Sequence, residues 1–207
     1  MSDAPMSDGR LADGSPAESH PLTHEVLKLF DQRGGSLYGG EAVTQLQHAL
    51  QAAHFAEQDG AAPALICAAL LHDVGHLLHS LPDDAPDQGV DDRHEELAAR
   101  WLAKRFPASV SEPVRMHVAA KRYLTAVEPE YAALLSAPSQ LSLKLQGGPM
   151  SDDEVSKFES SPHYWPAVQL RRWDDAAKDP SMATADLAHF ANYLNEVLHS
   201  REVGDAK

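Results

Sequence analysis

The sequence predicts an all-α fold, a helical bundle in a single domain, and three observations carry the prediction. From Pro21 onward apolar residues recur three and four positions apart, which is helical spacing. No stretch alternates apolar and polar residues as a half-buried strand would, and glycines and prolines punctuate the helical runs. The 207 residues are 43% hydrophobic, enough for one sizeable core and without any internal repeat. The domain is expected over residues 21–200, between a disordered N-terminal tail at 1–20 and a C-terminal tail at 201–207. The first tail is read from its Asp, Gly, Ser and Pro content, which offers little apolar surface to bury.

Taken in order, Leu22 to Gln32 form a short amphipathic helix stopped by Gly34-Gly35, and Glu41 to Gln58 a longer one ending near Gly60. Pro63 opens the third helix, at a position where its missing N–H is no loss. That helix runs through Ile66, Cys67, Leu70 and Leu71 and carries His72 and Asp73 into the interior ahead of Leu77 and Leu78. Pro82 to Asp91 reads as a loop, Arg93 to Arg105 as a helix ending at Pro107, and Ser111 to Tyr123 as another. An apolar stretch between Pro138 and Pro149 closes at Gly147-Gly148. Ser151-Asp152-Asp153-Glu154 has the pattern of a capping box opening the next helix. Tyr164 to Ala177 and Thr184 to His199 complete the bundle.

Composition excludes several functional classes. A net charge of -14 argues against nucleic acid or an anionic membrane as partner, since both call for a basic face. The one cysteine, Cys67, can build neither a disulfide nor a thiolate metal site within the chain, and it fits a reducing compartment. The N-terminal residues lack the basic start and apolar run of a signal peptide, and no stretch approaches the roughly 20 apolar residues of a membrane helix. A soluble, cytoplasmic protein is expected.

The chemistry concentrates in an unusual set of polar residues on apolar helices. The chain has twelve histidines. His48 lies between Leu46 and Leu50, His72 and Asp73 are adjacent within an apolar run, His94 opens a helix, His117 sits beside Met116 and Val118, and Asp174 follows Trp173. Buried polar groups cost a few kcal/mol unless satisfied, and a cation is one way to satisfy them. A bundle can aim such side chains inward from several helices. The donors are nitrogen and oxygen only, which suits zinc, iron or manganese. Six ligands exceed what one catalytic ion with an open position would use, so two ions sharing a carboxylate fit better.

His48, the adjacent His72-Asp73 and the distant Asp174 resemble the H...HD...D signature of the HD-domain superfamily over residues 38–174. Tyr38-Gly39-Gly40-Glu41, His72-Asp73-Val74-Gly75-His76 and His117-Val118-Ala119-Ala120-Lys121 narrow the resemblance. With Leu145 to Ser151 and Leu170 to Lys178, they are similar to the mixed-valent diiron oxygenases that cleave organophosphonates. The resemblance implies an HD-domain helical bundle holding two irons in the Fe(II)/Fe(III) state, with O2 as co-substrate. His48, His72 and Asp174 would hold one iron, His94 and His117 the other, and Asp73 would bridge them. Tyr38 would occupy the second iron until substrate displaces it, and Glu41 would help close the site. Lys121 would contact the phosphonate, and His76 would approach the substrate. Ser139, Ser142, Gln146 and Arg171 are further substrate-binding positions by the same resemblance. The substrate would be a small 1-hydroxyphosphonate with an amino or trimethylammonio group, cleaved to phosphate and glycine or glycine betaine.

A dianionic head group suits the point charge of a lysine such as Lys121. Two other functions use the same residues: a metal-dependent phosphohydrolase of the wider superfamily, and a metal-binding module without turnover. Tyr38, Glu41 and Lys121 favour the oxygenase, because a hydrolase has no need of a displaceable tyrosine. His54, His79, His163, His189 and His199 read as surface or supporting residues. Tyr164, Trp165 and Trp173 read as core aromatics, with a cation-π role toward a quaternary ammonium as the alternative.

Overall fold

The computed structural model describes residues 19–78 and 94–205. Residues 1–18 of the expected tail, the Pro82 to Asp91 loop and His79 lie outside them. Every regular element among the described residues is helical. In chain order these are α1 (Pro21–Arg33), α2 (Gln45–Gln58), α3 (Pro63–Leu71), α4 (Val74–Leu78), α5 (His94–Ala103) and α6 (Ala108–Val127). α7 (Tyr131–Leu134), α8 (Ala137–Leu145), α9 (Asp152–Glu159), α10 (Tyr164–Ala176) and α11 (Leu187–Asp205) complete the chain. An all-α bundle is thus the fold. None of its described helices is long and apolar enough to cross a membrane.

The apolar run that opens at Pro63 explains the architecture. Every α3 residue from Leu65 to Leu71 is buried, and a helix apolar all round must be surrounded. α2, α6, α10 and α11 pack around it. The main core joins Ile66 and Leu70 of α3 to Ala52 of α2, Val110 and Val114 of α6, Leu170 of α10 and Leu194 of α11. A second, smaller core of Leu124, Tyr131, Leu143, Phe158 and Val168 lies where α6 and α10 meet α7, α8 and α9. The long helices α6 and α10 pack together and take part in both cores.

Several element boundaries differ from the expectation, each for a local reason. α2 begins at Gln45, not Glu41, because Gly39 and Gly40 take positive φ of 44° and 80° and turn the chain into a tight hairpin. The Tyr38 N–H donates to Val43 O at 2.9 Å and the Gln45 N–H to Ser36 O at 2.9 Å, so residues 36–45 form a loop closed by backbone bonds. Thr44 then caps α2 in a capping box with Gln47. α3 stops at Leu71, so His72 and Asp73 lie in a turn before α4 and not inside a continuous helix. The His72 ring takes the Ala69 carbonyl at 2.8 Å, the acceptor that a continuing ladder would offer to the Asp73 N–H.

α6 starts at Ala108 and carries Pro113 inside it, where Ser111 was the expected start. The Ser151 to Glu154 capping box is present. The last helix is Leu187–Asp205, offset from the expected Thr184 to His199 and reaching into the expected C-terminal tail. At the other end His20 accepts from the Leu22 N–H and caps α1. Trp165 is 54% exposed and is therefore not a core aromatic, whereas Trp173 is buried and donates to Asp59 at 2.7 Å.

Candidate metal centre

Three helices and one turn deliver polar side chains to the point where α3 ends. His48 comes from α2, His72 and Asp73 from the turn after α3, His117 from α6 and Asp174 from α10. Their exposures are 0%, 0%, 6%, 1% and 1% respectively. One donor atom from each of His48, His72, Asp73 and Asp174 lies within 4.8 Å of all the others.

Each of these imidazoles is oriented the same way. His48 Nδ1 lies 2.7 Å from Ala177 O, His72 Nδ1 2.8 Å from Ala69 O, and His117 Nδ1 2.7 Å from Val114 O. A carbonyl can only accept, so the proton sits on Nδ1 and the Nε2 lone pair of each neutral ring points inward. This is how metal-ligating histidines are normally held.

Those inward atoms meet other acceptors. His48 Nε2 and His72 Nε2 are 3.0 Å apart. Asp73 Oδ2 lies 3.3 Å from His72 Nε2 and 3.5 Å from His48 Nε2, and Asp174 Oδ1 lies 3.4 Å from His48 Nε2. On the far side, Asp73 Oδ1 lies 3.5 Å from His117 Nε2. Lone pairs this close repel unless positive charge sits among them, so the cluster fits a divalent cation. The two oxygens of Asp73 face different histidines, which also suits a carboxylate shared between two ions.

The electrostatics agree. Burial opposes ionisation of both carboxylates, yet the surrounding donors together outweigh it, His72, His117 and His48 for Asp73 and Arg171 with His48 and His72 for Asp174, and both are held well below the usual range. Burial likewise disfavours a charged His48, but hydrogen bonds to Asp174 and Asp73 push it up to about 9. A protein without metal would therefore take a proton here, and a cation would displace it.

The hairpin between α1 and α2 covers this cluster. The Tyr38 ring stacks on His48 with centroids 3.7 Å apart and an interplanar angle of 13°. Its hydroxyl lies 3.4 Å from Asp174 Oδ1, and burial together with the two carboxylates raises its pKa well above the ordinary phenol value. His76 sits edge-on to the Tyr38 ring at 6.4 Å. Glu41 accepts from Ser136 Oγ at 2.6 Å and pairs with Lys178 Nζ at 3.2 Å.

Beside the cluster lies a cationic wall. Lys121 is 3% exposed and donates to Ser142 Oγ at 2.7 Å. Burial, and then the charge of Arg171, pull its ammonium down to about 7. Ser139 is buried and accepts from Lys178 Nζ at 2.9 Å, while Gln146 has a buried side-chain oxygen without a hydrogen-bond partner among the described residues. Arg171 is buried, and its Nη1 lies 2.7 Å from Asp174 Oδ2. Its remaining edge meets Asp175 and the Tyr131 hydroxyl.

His48, His72, Asp73, His117 and Asp174 thus converge, Tyr38, Glu41, His76, Lys121, Ser139, Ser142 and Arg171 lie around them or in the adjoining wall, and Gln146 caps the end of α8, the helix that carries Ser139 and Ser142. The side chain of His94 lies outside the described residues. Sequence reasoning passed over Lys178, Gln51, Tyr131 and Asp175. Gln51 had a readable signal, being one turn beyond His48 on the same face of α2. Its amide donates to Asp179 O at 2.7 Å and accepts from the Asp179 N–H at 3.1 Å, which pins the chain after α10. Tyr131 had none, because its partners lie 40 and 44 residues away.

Comparison with known proteins adds the following. The HD domain pattern matches residues 46–142. Over 170 residues, covering 82% of this chain and 87% of the relative, the sequence is 46% identical to a [1-hydroxy-2-(trimethylamino)ethyl]phosphonate dioxygenase (glycine-betaine-forming) from Leisingera caerulea. It is 45% identical over 174 residues to a hydroxymethylphosphonate dioxygenase from Gimesia maris, covering 84% of this chain and 86% of that one. An uncharacterized protein of Acanthamoeba polyphaga mimivirus is 37% identical over 175 residues, with 84% and 80% covered.

Proposed function

This chain belongs to the HD-domain hydroxyphosphonate dioxygenases, and from that premise we propose that it is an iron-dependent oxygenase that cleaves the carbon-phosphorus bond of a 1-hydroxyphosphonate. The observation that carries the reading is the convergence of buried acceptors on both sides of Asp73, beside a wall that presents Lys121 and Arg171. In this reading His48, His72 and Asp174 would hold one iron and His117 and His94 the second, with Asp73 as the carboxylate the two would share. The bound irons, in a mixed-valent Fe(II)/Fe(III) pair, supply the activation of O2 that no side chain can perform.

The chain's own residues bind and orient. Lys121, which donates to Ser142 Oγ, would receive a phosphonate oxygen, and Ser139, on the same helix as Ser142, and Gln146, at the end of that helix, would offer further polar atoms. Arg171 holds Asp174 by its outer oxygen, which keeps the inner oxygen turned to the metal side. Tyr38 lies over His48, and in this reading its ring would give way for a substrate hydroxyl to reach the donors beneath it. Glu41 sits on the same hairpin and would help close the site, and His76, edge-on to the Tyr38 ring, would approach the substrate.

The two relatives named for their substrates act on phosphonates with and without a trimethylamino group. The shared hydroxyphosphonate unit is what we assign to this site. With the nitrogen-bearing substrates the products are phosphate and glycine betaine or glycine. The single, buried Cys67 accords with a reducing, cytoplasmic setting.

Metal analysis with a substitution tests the assignment. Wild-type protein reconstituted with iron is expected to retain about two irons per chain, as two ions sharing one carboxylate require. Asp73→Ala should retain neither, because each ion loses the same ligand. Two irons per chain in Asp73→Ala would refute the bridge, and a wild type that turns over only with zinc would refute the oxygenase.

A further inference from the structure

Lys178 lies just past α10, outside the ligand set and the positions assigned to substrate. The chain on either side of it is clamped to α2, since Ala177 O accepts from His48 Nδ1 and Asp179 exchanges two hydrogen bonds with the buried Gln51 amide. From this fixed segment the Lys178 side chain reaches three structures at once. Its Nζ pairs with Glu41 at 3.2 Å, donates to Ser139 Oγ at 2.9 Å and to Ser136 Oγ at 3.3 Å, and lies 6.0 Å from the centre of the Tyr38 ring.

Glu41 and Tyr38 belong to the hairpin over the metal site, while Ser136 and Ser139 form the cap and first turn of α8. Glu41 also accepts from Ser136, so one ammonium closes a ring of polar contacts between hairpin and helix. The side chains of Lys178 and Glu41 are only 13% and 15% exposed. An ion pair this shielded is screened far less than one on the surface.

We infer that Lys178 is a positioning residue that fastens the Tyr38–Glu41 hairpin to the first turn of α8 and so holds Tyr38 over the metal site. It acts through Glu41 and the two serines. An anion on the neighbouring wall competes with Glu41 for the same ammonium, which couples substrate arrival to release of the hairpin. That coupling rests on the phosphonate reading above; the fastening itself does not.

Amide hydrogen exchange of the substrate-free, iron-loaded protein tests the fastening. The Tyr38, Glu41 and Gln45 amides, all bonded within the hairpin, should exchange at least ten-fold faster in Lys178→Met, while amides of α3 and α11 keep their wild-type rates. Lys178→Arg, which keeps the charge, should restore most of the protection. Glu41→Gln should loosen the same amides, and the double variant Lys178→Met/Glu41→Gln should add little, because both changes remove one contact. Unchanged exchange in Lys178→Met, or fully additive effects in the double variant, would overturn the proposal. Exchange under anaerobiosis with a 1-hydroxyphosphonate then tests the coupling: substrate should speed exchange of the Tyr38, Glu41 and Gln45 amides at least ten-fold in the wild type, and change it less than about three-fold in Lys178→Met, whose hairpin is already released. An equal response to substrate in Lys178→Met would overturn the coupling, and a wild type with no turnover would condemn the phosphonate reading while the exchange data without substrate still judge the hairpin.

Discussion

At Lys121 the site joins a full-charge requirement to a buried position. In the proposed function its ammonium receives a dianion, yet burial and the charges of Arg171 and Lys178 bring it down to about 7. A group with a lowered pKa holds its proton only below that value, so affinity for an anionic substrate should be full at acid pH and fall as pH rises through about 7. The expected outcome is a KM that climbs about ten-fold per pH unit above neutrality while kcat changes little, since each pH unit beyond the pKa removes a tenfold share of the charged form. Lys121→Arg, which stays charged, should flatten that rise; KM profiles of the two proteins check it. The residues of this site were the most legible part of the sequence. His48, His72, Asp73 and His117 stood out because each is polar in an apolar helical setting, whereas Asp174 lies in the charged run Arg171 to Asp175 and stood out by completing the H...HD...D pattern; burial in the structure is near complete for all five. Lys178 and Arg171 were harder to read, because a cation near a helix end is most often a solvated one.

Among the elements, α2 shows where periodicity misleads. The spacing from Glu41 to Gln58 is helical throughout, yet two glycines at positive φ and the Leu37–Thr44 bridge turn its first residues into a hairpin. Thr44 is the true cap, so Thr44→Ala should cost about 1 kcal/mol, seen as a lower urea midpoint at unchanged slope. Equal midpoints would show that the hairpin, and not the cap, fixes the start of α2. The break after α3 was illegible for the opposite reason. Nothing in the run to Leu71 breaks a helix, and the interruption comes from the His72 ring taking a backbone carbonyl. That turn is what lets adjacent residues present His72 Nε2 and both Asp73 oxygens to the same cluster.

Across the whole molecule, the apolar helix α3 serves as an axis that brings one polar turn to the centre of a bundle, and four surrounding helices are tied to it by packing. The metal cluster lies at the end of that axis, and the hairpin, α8 and the segment after α10 meet beside it. The all-α single domain was legible from spacing and punctuation alone; the hairpin latch was not, because it joins Glu41, Ser136 and Lys178 across 95 and 42 residues of sequence. Charge follows the same division, with a chain of net charge -14 concentrating Lys121, Arg171 and Lys178 beside one cluster. The central claim is that this arrangement uses O2 to break a carbon-phosphorus bond. The most direct measurement follows dissolved O2 and released phosphate together, with iron-loaded protein and a 1-hydroxyphosphonate. The account predicts one O2 consumed per phosphate released and no phosphate under strict anaerobiosis. Full phosphate release without O2 would contradict it and return the site to hydrolysis.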